Sequence, residues 1–90
     1  MNLSDKVTIP PQVMARTVGT ETVILDLASG TYFGLDPVGA HIWQLLGAGK
    51  SLAEVCAAMQ QSHEVSRSDI ERDVLALAET LQEQRLIEVA

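Results

Sequence analysis

The side chains of this 90-residue chain best suited to chemistry are two histidines, one cysteine and a set of carboxylates. His41 and His63 have the type needed for metal ligation or proton transfer. Neither lies at i, i+4 or at Cys-x-x-Cys-like spacing from a second strong ligand. His41 reads as a side chain accommodated on a helix and His63 as a loop residue, so no metal site is expected. Cys56 would act as a nucleophile only beside a base and in an electropositive setting. It falls instead on the apolar stripe of a helix, where a free cysteine behaves as a small hydrophobe. Asp69, Glu71, Asp73, Glu79 and Glu83 offer paired carboxylates, yet nothing supplies the rest of an acid-base site. They read as a solvated helix face, with Asp69 and Glu71 favoured near a helix N-terminus by the backbone dipole. No glycine-rich phosphate loop or serine elbow is present. The chain is therefore expected not to be an enzyme and to need no cofactor.

The elements that would position these residues follow from spacing. Val7-Thr8-Ile9 is a short β-prone run stopped by Pro10-Pro11, and residues 1 to 12 read as an extended arm. Val13 to Val18 and Thr22 to Leu27 are dense in β-branched and aliphatic residues, with a turn at Gly19-Thr20. The second run sets Val23, Leu25 and Leu27 against Ile24 and Asp26, one face inward and one toward solvent. Ala28-Ser29-Gly30 reverses the chain, and Thr31-Tyr32-Phe33-Gly34-Leu35 is a third strand.

Asp36-Pro37 opens a helix, since aspartate accepts from first-turn amides and proline loses nothing at the first helical position. Its apolar positions are Val38, Ile42, Leu45 and Leu46, and Gly47 with Gly49 can end it. Ser51 and Glu54 form a capping box for a second helix reaching about Gln61, with Leu52, Val55, Cys56 and Met59 on one side. Ser66 with Asp69 starts a third, whose stripe is Ile70, Val74, Leu77 and Leu81. Leu86-Ile87-Glu88-Val89 packs back on the core. The resulting class is α+β: a three-stranded antiparallel sheet followed by three helices, winged helix-turn-helix-like, with the globular domain spanning residues 13 to 90.

Composition narrows the function. Twelve acidic against six basic residues give a net charge of -6, which opposes a phosphate backbone, so nucleic acid is not an expected partner. No segment approaches the roughly 18 apolar residues that span a bilayer, and Met1-Asn2-Leu3-Ser4-Asp5-Lys6 does not resemble an export signal. With a single cysteine, these features lead to the expectation of a soluble cytoplasmic protein without membrane contact. What remains is the strand Thr31 to Leu35. As an outer strand it would present unpaired amides and carbonyls, and it carries neither the charge nor the proline that usually protects such an edge. Gly34 would let a second backbone approach closely.

The stretch Leu25-Asp26-Leu27-Ala28-Ser29-Gly30-Thr31-Tyr32-Phe33-Gly34-Leu35-Asp36-Pro37-Val38-Gly39-Ala40-His41-Ile42-Trp43 resembles the pyrroloquinoline quinone biosynthesis protein D (PqqD) family. More narrowly, it is similar to the discrete leader-binding B proteins of lasso peptide gene clusters. The likeness runs from about Val13, through Ser51-Leu52-Ala53-Glu54-Val55, to the closing Leu86-Ile87-Glu88-Val89. Arg85 departs from it, standing where related sequences often have glycine.

The resemblance implies a recognition element for the leader of a ribosomally synthesised precursor peptide. The leader would pair with Thr31, Tyr32, Phe33, Gly34 and Leu35 and lie against the third helix at Asp69, Arg72, Asp73, Ala76 and Leu77. Main-chain bonds would supply affinity and side-chain pockets specificity. Implied partners are a leader peptidase of the transglutaminase-like cysteine protease kind and an ATP-dependent lasso cyclase. Two other readings share this fold: a peptide chaperone for a radical SAM maturation enzyme, and a winged-helix DNA-binding regulator, which the acids of the third helix disfavour.

Overall fold

A computed structural model describes every residue from Met1 to Ala90. The elements in order are β1 (Val7–Thr8), β2 (Val13–Val18), β3 (Glu21–Asp26), β4 (Tyr32–Leu35), α1 (Pro37–Gly47), α2 (Leu52–Ser62), α3 (Arg67–Glu83) and β5 (Glu88–Val89). Strands β2, β3 and β4 form an antiparallel sheet in that order, and β1 pairs with β5 in a separate two-stranded ribbon. The architecture is α+β and winged helix-turn-helix-like, as the spacing predicts.

The helices begin where side chains can satisfy free amides. Asp36 accepts from the Gly39 N–H at 2.7 Å, with Pro37 in the first turn of α1. At α2 the Ser51 N–H donates to Glu54 Oε1 at 2.8 Å, while Ser51 Oγ accepts from the Glu54 N–H at 3.2 Å. Ser66 Oγ accepts from the Asp69 N–H at 3.2 Å and opens α3. Each cap covers a donor that has no partner inside its helix.

The residues before β2 contain turns at Leu3-Ser4 and Pro11-Gln12 and are docked on the rest of the fold. Val7 is buried, and the carbonyls of Asp5 and Leu3 accept from the Leu52 and Ala53 N–H groups at 3.0 and 2.7 Å. These two donors are further orphans of the α2 N-terminus, so the arm completes a cap that Ser51 alone leaves open.

At the other end of α3 the chain closes in a Schellman turn. The Leu86 N–H donates to the Leu81 carbonyl at 2.9 Å and the Arg85 N–H to the Gln82 carbonyl at 3.0 Å. This turn requires a left-handed residue, and Arg85 supplies it with φ of 61°. The departure from glycine noted in the sequence thus falls on the one non-glycine residue with positive φ.

The core lies between the sheet and the helices and is mostly aliphatic: Ile24, Leu46, Leu52, Met59, Leu81, Leu86 and Ile87 are all essentially inaccessible. Trp43 is its one buried aromatic. On α3 the buried stripe is Ile70, Val74, Ala78 and Leu81. Leu77, expected in that stripe, is only partly buried, and Ala78 takes the core position.

The inward face of β3 carries Ile24 and Asp26, while Val23 and Leu25 stand partly exposed on the outer face. Asp26 is tolerated inside because its Oδ1 accepts from the Ala28 N–H at 2.9 Å, closing the turn toward β4. No helix is long and apolar enough to cross a membrane.

Candidate functional site

Strand β4 has a neighbour on one side only. It pairs with β3 in the register Thr22 to Leu35, Val23 to Gly34, Ile24 to Phe33 and Leu25 to Tyr32. In an antiparallel ladder, directly opposed residues alternate between exchanging both hydrogen bonds and exchanging none. The Asp26 N–H donates to the Thr31 carbonyl at 2.8 Å, which fixes the phase. Phe33 and Leu35 therefore bond to β3, and the N–H and C=O groups of Tyr32 and Gly34 point to the open border. The Leu27 N–H donates to the Gln12 carbonyl, which puts the β3 residues of the opposite phase toward β2 and agrees with this assignment.

Beside that border lies a cavity of about 300 Å³ lined by Phe33, Gly34, Leu35, Asp36, Val38, Gly39, Ile42, Asp73 and Leu77. A second, of about 230 Å³, is lined by Glu21, Gly34, Leu35 and Asp36. Sharing three residues, the two make one groove along β4. Its walls combine aliphatic and aromatic surface with the carboxylates of Glu21, Asp36 and Asp73, and neither cavity has a lysine or arginine in its lining. The groove therefore favours a chain that brings apolar side chains and positive charge.

Of the residues singled out in the sequence, Phe33, Gly34, Leu35, Asp73 and Leu77 come together here. Tyr32 is 74% exposed, Thr31 is partly buried and precedes the strand instead of belonging to it, and neither lines the cavity. Asp69, Arg72 and Ala76 lie on the exposed side of α3, outside the lining. Arg72 sits between two acids, 3.3 Å from Asp69 and 3.7 Å from Asp73. Gly34 contributes differently from the sequence expectation. Its cross-strand partner Val23 is on the outer face, so a Cβ at Gly34 would also stand there, with nothing within 4 Å. The residue offers main-chain groups to the border; the missing side chain is not what opens it.

Sequence reasoning assigned no groove role to Asp36, Val38, Gly39 or Ile42. A helical stripe says which residues are apolar, but not that the first turn of α1 leans toward a sheet edge. The Asp36 cap offered the one available signal, because it anchors that turn directly after β4.

The remaining chemical candidates divide. Cys56 is fully buried, its Sγ 4.0 Å from the Ile70 carbonyl, and burial pushes its thiol pKa up. A protonated, inaccessible thiol is no nucleophile. On α3 Arg67 Nε lies 2.7 Å from Glu71 and Arg72 lies 3.3 Å from Asp69, so both arginines have a carboxylate beside them. His41 and His63, read from the sequence as a side chain accommodated on a helix and a loop residue, meet with Nδ1 and Nε2 3.3 Å apart.

An open strand border flanked by a groove is one arrangement by which a small module can take up an extended peptide. The family described as coenzyme PQQ synthesis protein D (PqqD) matches residues 21–87. The chain belongs to the PqqD family. Among solved structures, this PqqD-family chain is similar to TbiB1 in complex with the TbiA(beta) leader peptide. That match has a TM-score of 0.83 and 38% identity, covering 90% of this chain and 94% of the other. It is also similar to a lasso peptide synthetase B1 complexed with the leader peptide, with a TM-score of 0.84 and 32% identity. There the coverage is 92% of this chain and 98% of the other. No curated protein matches the PqqD-family chain.

Proposed function

We propose that this chain is a non-catalytic recognition module that binds the leader of a ribosomally synthesised precursor peptide by strand addition. It then delivers that precursor to the processing enzymes of lasso peptide biosynthesis. The observation that carries the reading is the unpaired border of β4, with the main-chain groups of Tyr32 and Gly34 facing outward along the groove. Its two structural neighbours, solved with leader peptides, support the same assignment.

In this reading the leader lies between β4 and α3. Paired hydrogen bonds at Tyr32 and Gly34 hold its backbone, with Thr31, Phe33 and Leu35 setting the strand's course. Side chains pointing inward enter the cavity walled by Phe33, Leu35, Ile42 and Leu77. A basic or hydroxyl-bearing leader residue meets Asp73, with Asp69, Arg72 and Ala76 forming the outer rim on α3. Affinity then comes from the main chain and selectivity from the pockets. The recipients of the bound precursor are a transglutaminase-like cysteine protease that removes the leader and an ATP-dependent cyclase.

The direct test is a titration of isotopically labelled protein with candidate leader peptides, the TbiA(beta) leader among them. The largest amide shifts are expected at Tyr32 and Gly34, followed by Asp73 and Leu77. Shifts concentrated on β2, with β4 silent, would place the guest at the wrong border and refute the reading.

A further inference from the structure

The groove uses neither histidine, yet the fold brings the pair together. His41 is the fifth residue of α1 and His63 caps the C-terminus of α2, where its N–H donates to the Met59 carbonyl at 2.9 Å. Both side chains are partly buried, with His41 Nδ1 3.3 Å from His63 Nε2 and the rings tilted by 51°. Two metal–imidazole bonds of about 2.0–2.1 Å, opened to the tetrahedral angle, place their nitrogens roughly 3.3 Å apart. The separation already present is thus the bite of a two-imidazole chelate.

We infer that His41 and His63 form a binding site for a borderline transition-metal ion of the Cu(II), Ni(II) or Zn(II) kind, with the remaining coordination positions open to water. Without metal, one facing nitrogen donates its proton to the other. Ligation needs both facing nitrogens bare, so that proton moves through solvent to the far nitrogen of its own ring. Neither far nitrogen is held by another hydrogen bond within the protein, so no partner opposes the change of tautomer. A small rotation of the rings then turns two nitrogens that face each other toward a common point.

The ion bridges α1 to the end of α2, so it binds the folded chain and not the unfolded one. The site stands independently of the peptide-binding reading. No further His, Cys, Asp or Glu completes a three-residue set there, so the affinity is that of two imidazoles. Hard cations that take oxygen ligands, such as Mg²⁺ and Ca²⁺, are excluded.

The test uses the full, tag-free chain at neutral pH. Thermal unfolding is followed while CuCl2, NiCl2, ZnCl2 or MgCl2 is added, and imidazole nitrogen resonances are recorded with Zn²⁺. The unfolding temperature is expected to rise with Cu²⁺, Ni²⁺ and Zn²⁺ but not with Mg²⁺. Binding should be one to one, and His41→Gln or His63→Gln should each weaken it at least about tenfold. The perturbed nitrogens should be Nδ1 of His41 and Nε2 of His63. Each substitution is made alone, so poor folding of one variant leaves the other decisive. No metal-dependent rise, or a rise that survives both substitutions, overturns the site and leaves a simple hydrogen bond between two rings.

Discussion

Replacing Gly34 by proline separates the border of β4 from everything else in the groove. The ladder to β3 runs through Phe33 and Leu35, so the Gly34 N–H is not needed to hold the sheet. Proline is tolerated on an outer strand where its missing N–H would have faced outward. Gly34→Pro should therefore fold. For a guest strand the change removes one donor, and the ring crowds the reciprocal bond of the same pair. Two main-chain hydrogen bonds, each contributing a net 0.5–1.5 kcal/mol, make a loss of about 1–3 kcal/mol. Leader affinity should fall roughly 5- to 150-fold. Gly34→Val is the control, because it keeps the N–H and its side chain enters open space on the outer face. Its affinity should stay within about threefold of the parent chain. Isothermal titration calorimetry with the leader, alongside urea unfolding of each variant, reads both quantities. If folded Gly34→Pro binds as tightly as the parent, the guest does not pair at β4. Equal losses for Pro and Val would instead assign the effect to crowding on the outer face.

Three further outcomes are expected. Arg85→Gly should stabilise the fold, because left-handed backbone costs an L-residue about 1–2 kcal/mol and the freer unfolded glycine returns only about 0.4–1. A rise of a few degrees in the unfolding temperature supports this, and a fall would mean that the exposed Arg85 side chain stabilises the turn. Asp73→Lys should leave stability nearly unchanged, since its side chain is 59% exposed and its pairing with Arg72 is long at 3.7 Å. Leaders with a basic residue facing the groove should bind several-fold more weakly and neutral ones little changed, the difference shrinking at high salt; uniform loss with melting would make Asp73 structural. Finally, the Ser51 N–H and then its hydroxyl hold the Glu54 carboxyl below its ordinary range. A depressed folded value contributes stability above the unfolded pKa, around pH 4.3, and loses it as pH falls through the folded value. Denaturation midpoints measured on acidification should drop there, and Glu54→Gln should flatten that limb.

Much of this fold was legible because its signals are local. The Ser51 and Glu54 pair, the Asp36-Pro37 start and the Ser66 cap each act within one turn, and all three open helices as expected. The α3 stripe was less clear, since Leu77 and Ala78 compete for one inward direction and hydrophobicity alone favours leucine. The face of β3 could not be settled by alternation either. The more apolar set, Val23 and Leu25, is the outer one, because Asp26 satisfies its buried oxygen through the turn to Ala28.

Site residues followed the same division. β4 was visible as an unprotected run, and Asp73 and Leu77 entered through the family likeness. The α1 wall of the groove and the meeting of His41 with His63 depend on how distant elements pack, which no short window of sequence carries.

The pairing of Val7 with Val89, and of Thr8 with Glu88, has a practical meaning for how such a domain is built into longer chains. The C-terminal residues leave directly from this ribbon, whereas residues 1 to 6 run from it to the α2 N-terminus; the ribbon itself is separate from the sheet that bears β4. A gene fusion following β5 would therefore extend from the ribbon and leave the open border untouched. The other end sets a limit, because trimming residues 1 to 8 would strip the carbonyl caps from α2 as well as one half of the ribbon.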